Sequence, residues 1–587
     1  MRNVIVMSMA ASVLGGAGQR GRGAPNRTRS SRARAREMRP PTFGLAAART
    51  AHAGRALPGD ARPRRDGGVL LQSVQPKSRP RDPSAPSIRP RPGGALPVYW
   101  RAMARFRLVI VANRAYADHD APAGAPAPEG GAGGLVTVVR PAVGEGTAWV
   151  GAGRGRFDRE YVDERGEEWL PTPQGRLRHR RVFFSADVWR GFYELAANAF
   201  LWPLLHLVRP FPHLTAYFPR PLAPAPDVWS AYRAANEVYA EAAAAMDAKR
   251  AWVHDYQLGL VPALLRERGF RGRIGFFLHT PFPEWSVAHE FLDGHGVSCF
   301  REWLRGVLAA DLVGVQSPAD MRRLCEAAVA LGEASACEGG LRVGGRSVAV
   351  EAHPVGPDAA GVLEPAQKAP DPPWLAELRA LGLPLVVGLE RADYTKGIPE
   401  RLRAVAVLLR EGRRFIHVGV EAPTRESVPG YEALAEAIEG AAAEARKAAR
   451  AAGLPFEERR EALPWAEVVA LLRAADVVVA PSLADGMNLV PLQAVLAQSL
   501  RPQARRAVLL VGADTGVAAV YGPAFAGEGL VAVDPLDESA LAAALAAALA
   551  GRPGRISDGF AEAVRRRDAR AWAAHYLARL EAMHADV

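Results

Sequence analysis

A chain of 587 residues with 49% hydrophobic content is long enough for two or more domains with large cores. The formal net charge is +12, but residues 1–102 hold 20 Arg and Lys against 4 Asp and Glu, a net of +16 that leaves −4 for the other 485 residues. The basicity belongs to one end, which excludes a nucleic-acid-binding body, and no apolar run reaches the roughly 18 residues of a membrane-crossing helix.

Residues 1–102 are rich in Arg, Pro, Ala, Gly and Ser and lack periodicity, so a disordered basic extension is expected there. Met103 opens Met-Ala-Arg-Phe-Arg directly ahead of a strand, the pattern of a start codon placed too far upstream; a real tail and a targeting segment are the competing readings. The apolar run 108–112 reads as a buried strand, followed by Asn113, Arg114 and a glycine loop that includes Gly133 and Gly134. Strand, glycine loop, helix is the opening of a nucleotide-binding half, in which glycines let a substrate approach the backbone. Further short apolar strands are predicted at 251–253, 274–278, 312–315, 386–387, 415–418, 477–480, 508–511 and 530–533, alternating with helices.

That alternation predicts an α/β chain with two parallel sheets, each covered on both faces. The expected division is residues 103–360, 361–569 and a final helix from 570 to 587 that packs back on the first domain, with the Pro/Ala-rich stretch 365–373 as linker. Two Rossmann-like domains then face each other across a cleft, with ligands at the carboxyl ends of the strands. Cys299, Cys325 and Cys337 have no metal-ligand spacing and suit a reducing, cytoplasmic compartment.

The chemistry concentrates in a few loops at those strand ends. Arg391 and Lys396 fall in a strand-to-helix loop ahead of Pro399, where two fixed cations and a helix N-terminus collect anions such as a diphosphate. Asp255 and His279 each follow a strand. Asp485 precedes Gly486, Met487, Asn488, Leu489 and Val490 at a predicted helix start; it reads either as a helix cap or as part of a site whose amides bind sugar hydroxyls or phosphate. Tyr193 and Trp202 lie nine residues apart, and Arg425 follows the 415–420 run; core packing and surface exposure are the plain alternatives.

Taken in order, Asn113-Arg114, Gly133-Gly134-Leu135, Trp149, Tyr193 with Trp202, His254-Asp255-Tyr256, the 278–283 run, Glu390-Arg391 with Tyr394 and Lys396-Gly397, 423–425 and 485–490 resemble the trehalose-6-phosphate synthases, retaining glycosyltransferases of the GT-B fold. The resemblance spans about residues 106–580. It implies metal-free transfer of glucose from a nucleoside-diphosphate glucose, usually UDP-glucose, to glucose 6-phosphate, with no cofactor. It also implies roles. Arg391 and Lys396 would neutralise the donor diphosphate. Asp485, the amides after it and His279 would hold the donor glucose, and the Gly133-Gly134 loop would close over it. Asp255 would contact the acceptor, and Arg114, Tyr193, Trp202 and Arg425 would bind its phosphate. No strong covalent nucleophile is present, so a front-face mechanism is implied, in which the departing phosphate helps take the acceptor proton.

One departure stands out. Where the family has a Glu gripping the ribose hydroxyls, eight residues after the Asp, this chain has Gln493, and an amide offers one acceptor oxygen where a carboxylate offers two. That keeps open a relative using glycerol 3-phosphate, a pseudo-glycosyltransferase, and an inactive member acting as a binding subunit. The expected partners are a nucleotide sugar and a sugar phosphate, with no nucleic acid and no membrane; a homo-oligomer is left open.

Overall fold

Ten strands form the first sheet: β1 (Leu108–Arg114), β2 (Thr147–Ala152), β3 (Glu167–Thr172), β4 (Gly175–Val182), β5 (Arg250–His254), β6 (Arg273–Phe277), β7 (Leu312–Val315), β8 (Ser335–Cys337), β9 (Gly340–Val343) and β10 (Arg346–Ala352). Their order is β3-β4-β2-β1-β5-β6-β7-β10-β9-β8. The central seven, β4 to β10, run parallel, and antiparallel β3 and β9 close the flanks. Six strands form the second, all-parallel sheet: β11 (Leu385–Arg391), β12 (Ile416–Ala422), β13 (Phe456–Arg459), β14 (Val477–Ala480), β15 (Val508–Gly512) and β16 (Leu530–Val533), in the order β13-β12-β11-β14-β15-β16. This is a computed structural model, and it describes residues 106–122, 134–211, 216–218 and 220–583. The expected extension at 1–102 and Gly133 lie outside the described residues.

The apolar runs become strands because both faces of each sheet are covered. β14 and β15 are buried at every position, and β1 at all but Arg114. Helices form a layer on each face, giving four apolar clusters, two per sheet. The strands not predicted from sequence include β2 and β10, and several with weak apolar runs. β4 alternates exposed and buried residues and carries four Arg, and β3 and β13 are charged. The stretch 365–373, expected as a linker, starts inside the helix Ala359–Lys368, whose Ala359, Val362 and Ala366 pack into the second sheet's core. Pro365 sits seven residues into that helix, too late to prevent its first turns.

The last helix, Ala569–Ala582, covers the other end of the chain's path: Trp572, Tyr576 and Leu580 pack on Trp252 and Phe277 of the first sheet. The Tyr576 hydroxyl donates to the carbonyls of Phe276 (3.0 Å) and Leu312 (3.1 Å). That close approach needs glycine in the strands beneath. A Cβ on Gly314 would lie 2.6 Å from the Tyr576 ring and 2.6 Å from the Phe277 ring. No helix among the described residues is long and apolar enough to cross a membrane.

Gly314→Ala therefore lowers stability by about 1–3 kcal/mol through overpacking. Gly440→Ala, on the open side of the helix Tyr431–Ala452 with nothing within 4 Å of its Cβ, raises it by about 0.5–1 kcal/mol. Thermal melts of the two variants should move in opposite directions.

Candidate active site

β11 ends at Arg391, so this cation terminates a strand, while Lys396 stands in the loop after it. The strand runs past the expected Val387 because Gly388–Arg391 pairs in register with Gly419–Ala422 of β12. Gly397 then turns the chain with φ +67° and begins the helix Ile398–Arg410. A Cβ there would meet the Pro481 carbonyl at 2.1 Å, so both space and backbone require glycine. The contact brings the 392–397 loop against 481–485, and the Leu483 amide donates to the Thr395 carbonyl at 2.7 Å. Lys396 and Asp485 meet as an ion pair, 10% and 14% exposed. Asp485 is not the helix cap. Asn488 caps the helix Leu489–Gln498, its Oδ1 accepting from the Val490 amide at 3.3 Å, which leaves the Asp485 carboxylate for Lys396.

Gly486 is where the loops of the two sheets touch: a Cβ would lie 1.9 Å from the His279 carbonyl oxygen. Met487 is buried in the second sheet's core, while Leu489 and Val490 are half-buried. Gln493 is half-buried on the same helix, and its amide makes no hydrogen bond among the described residues. Gly134 begins the short helix Gly134–Val139, exposed, with nothing within 4 Å of its Cβ position.

Asp393, which sequence reasoning passed over, is the hub of the other half of the site. Its fully buried carboxylate accepts from Arg425 Nη1 (2.5 Å), the Tyr431 hydroxyl (2.6 Å), Thr395 Oγ1 (2.9 Å), the Thr395 amide (3.1 Å) and Trp202 Nε1 (3.3 Å). Arg425 lies 3.8 Å over the Trp202 ring and donates through Nη2 to the Tyr256 hydroxyl at 3.2 Å. Tyr256 in turn donates to Asn198 Oδ1 at 2.8 Å. An acidic residue two positions after Arg391 and three before Lys396 was the available signal: a buried cation cluster needs a counter-charge.

Tyr193 and Trp202 share this wall because residues Arg190–Leu201 form a π-helix. Nine residues on an α-helix turn through 900°, leaving two side chains on opposite faces. Wider π-turns of about 4.4 residues bring them to the same face. Tyr193 thus feels the charge of Arg114 at the end of β1, and Trp202 lies beneath Arg425 and 5.8 Å from Arg391. On the first sheet, Asp255 has φ +73°, and its Oδ1 accepts from the His279 amide at 3.2 Å. His279 Nε2 lies 3.1 Å from His254 Nδ1.

The model of glycosyltransferase family 20 matches residues 107–582. The trehalose-6-phosphate synthases of Mycobacterium avium and Mycobacterium ulcerans are each 34% identical over 70% of this chain, covering 83% and 82% of their own lengths. An α,α-trehalose-phosphate synthase (UDP-forming) of Burkholderia vietnamiensis superposes with a TM-score of 0.66 at 26% identity, over 81% of this chain and 100% of that one. The Burkholderia xenovorans enzyme, solved with glucose 6-phosphate, gives 0.67 at 25% identity over 81% and 100%. The chain belongs to glycosyltransferase family 20.

The electrostatics of this family-20 glycosyltransferase favour anions. Lys396 and Arg425 are each matched by one carboxylate, whereas the guanidinium groups of Arg114 and Arg391 make neither a hydrogen bond nor an ion pair among the described residues. Burial pushes the Asp255 carboxyl up to about 6, against the pull of its backbone hydrogen bonds and of Arg425 and Arg391. Burial pushes His279 down to about 3, so its imidazole is neutral near pH 7. Burial also acts on Asp393, but Arg425 and Arg391 outweigh it and hold this carboxyl below its usual range.

The two aspartates therefore respond oppositely to neutralisation. With its folded pKa raised, Asp255 binds a proton more tightly folded than unfolded, so it costs stability as pH rises from about 4 through about 6. Asp255→Asn should be more stable than wild type by about 2 kcal/mol at pH 7.5, a gap that closes toward pH 4. Asp393 is depressed, so its contribution is present above the unfolded value and lost as pH falls. Asp393→Asn should cost about 3–5 kcal/mol at pH 7.5 by leaving Arg425 unpaired. Urea melts at the two pH values check both signs.

Proposed function

We propose that this chain transfers glucose from UDP-glucose to glucose 6-phosphate with retention of configuration, giving α,α-trehalose 6-phosphate and UDP. The observation that carries the reading is the imbalance of charge in the cleft: Arg114, Arg391, Lys396 and Arg425 converge there, and among the described residues only Lys396 and Arg425 of these four have carboxylate ion-pair partners. Two groups of fixed cations suit two anions, a diphosphate at Arg391 and Lys396 and a phosphomonoester at Arg114, Tyr193, Trp202 and Arg425. The relatives named trehalose-6-phosphate synthase, and the neighbour crystallised with glucose 6-phosphate, support the same pair of substrates.

In this reading Lys396 leaves Asp485 for the diphosphate, and Asp485 turns to the hydroxyls of the donor glucose, beside the amides of Gly486 to Val490. His279, held by His254 from behind, completes the donor pocket as a neutral hydrogen-bonding group. Asp255 meets the acceptor sugar. The bond from the anomeric carbon to the diphosphate oxygen breaks while the acceptor hydroxyl oxygen bonds the same carbon from the same face. The acceptor proton passes to the departing oxygen, so no protein nucleophile is required. Arg391 and Lys396 stabilise the charge that grows on the leaving group, a role in which one donor is worth about 3–4 kcal/mol. The long apolar cores beneath both loops keep those cations fixed before the substrate arrives.

Protein incubated with UDP-glucose and glucose 6-phosphate, with products read by mass, should yield trehalose 6-phosphate. Product formed only with glycerol 3-phosphate as acceptor would overturn the acceptor assignment, and no product with any nucleotide glucose would overturn the reading as a whole. Arg391→Ala or Lys396→Ala should lower kcat by about 10²–10³ with the fold intact. If Gln493 takes the ribose in this reading, Gln493→Glu should tighten UDP binding by about 10-fold, the worth of one neutral hydrogen bond becoming charged. Calorimetric titration with UDP measures it, and equal affinities would remove Gln493 from the donor site.

A further inference from the structure

Arg154, to which the resemblance gives no role, is built into the same wall as the acceptor-phosphate residues. It follows β2 by two residues, and β2 pairs with β1 so that Ala152 stands opposite Arg114. The two arginines therefore leave the sheet at the same edge. The backbone on either side of Arg154 is held by close packing. A Cβ on Gly153 would lie 2.2 Å from the Phe183 ring, and one on Gly155 would lie 2.5 Å from the His119 amide nitrogen. Asp158, buried, fixes the loop: Oδ2 accepts from the Gly155 amide at 2.7 Å and Oδ1 from the His119 amide at 2.8 Å. Arg181, itself buried, ion-pairs with Asp158 at 2.8 Å.

The side chain is as well placed as the backbone. Trp189 and Tyr193 stack at 4.6 Å, and the Arg154 guanidinium lies 4.9 Å and 5.6 Å from their ring centres. Cation–π contact of this kind orients a guanidinium while leaving its in-plane N–H groups for another partner. The Arg154 guanidinium has no hydrogen bond or ion pair among the described residues, and the residue is exposed. Asp118, the carboxylate whose charge both Arg114 and Arg154 feel, sits 3.9 Å from Arg181. Four arginines, two from each sheet, thus act on one phenol. Burial raises the Tyr193 pKa, but Arg425, Arg114, Arg154 and Arg391 outweigh it and bring it below its ordinary value. Like charges gathered so closely are costly unless an anion offsets them.

We infer that Arg154 is a specificity-determining residue of the acceptor site, a further guanidinium that reads the second negative charge of a phosphomonoester. The inference rests on the acceptor assignment made above. It predicts preference for a dianionic phosphate over a monoanion of the same shape.

The test compares glucose 6-phosphate with glucose 6-sulfate, binding being read by calorimetry at low salt and pH 7.5 in the full chain. Wild type should prefer the phosphate, and Arg154→Gln should shrink that preference by about 10-fold, the loss of one charge-assisted contact. UDP affinity should be the same in both proteins, which shows that the fold is intact. Arg154→Lys, which keeps the charge, should fall between them, and it carries the comparison if Arg154→Gln melts early. An unchanged phosphate-to-sulfate ratio in both variants would overturn the role of Arg154 and leave the acceptor assignment standing. A wild type that binds neither sugar ester would overturn both.

Discussion

The candidate site depends on how one buried carboxylate is satisfied. Asp393 has no solvent contact, yet it stays ionised because Arg425, Tyr431, Thr395 and Trp202 all donate to it. Arg425, Tyr431 and Thr395 come from the segments that follow strands of the second sheet, and Trp202 from the residue just after the π-helix on the first sheet, so the same carboxylate that balances Arg425 also ties the two walls together. An isolated buried charge costs several kcal/mol, and complete hydrogen bonding is what makes it tolerable. The stack of Arg425 on Trp202, and its bond to Tyr256, follow from that anchoring.

Around this point the walls are set by glycine. Gly397 lets the loop bearing Lys396 press on Pro481, and Gly486 lets the second sheet's loop press on the His279 carbonyl. Neither contact has room for a side chain, so the distance between second-sheet and first-sheet groups is fixed by backbone against backbone. The π-helix does the same for the first-sheet wall: its wider turn brings Tyr193 and Trp202 to one face, where an α-helix would separate them. These local irregularities have an energetic cost, and each occurs where a charged or aromatic group is aimed into the cleft.

Much of the architecture was legible because parallel strands buried on both faces leave continuous apolar runs. The runs at 312–315, 477–480 and 530–533 match β7, β14 and β16 residue for residue. β3, β4 and β13 were not legible, since flank and edge strands carry charge on exposed positions. In the site, Arg391, Lys396 and Asp485 could be named from chain order, and the Lys396–Asp485 pair joins residues 89 apart in sequence. Asp393 carried a signal in its place between Arg391 and Lys396, but Tyr431, Asn198 and the His254–His279 contact could not be named, because their meaning lies in partners that only the fold brings near. Nothing in the residues of 190–201 announces the π-turns.

The central claim is that the cleft holds its cations in two groups, one for a diphosphate and one for a phosphomonoester. A crystal structure with UDP and glucose 6-phosphate bound together tests it most directly. The account predicts the diphosphate within hydrogen-bond distance of Arg391 and Lys396, with the Lys396–Asp485 pair opened, and the sugar phosphate among Arg114, Tyr193, Trp202 and Arg425. A diphosphate bound elsewhere with Lys396 still on Asp485, or a sugar phosphate outside the arginine cluster, would contradict it.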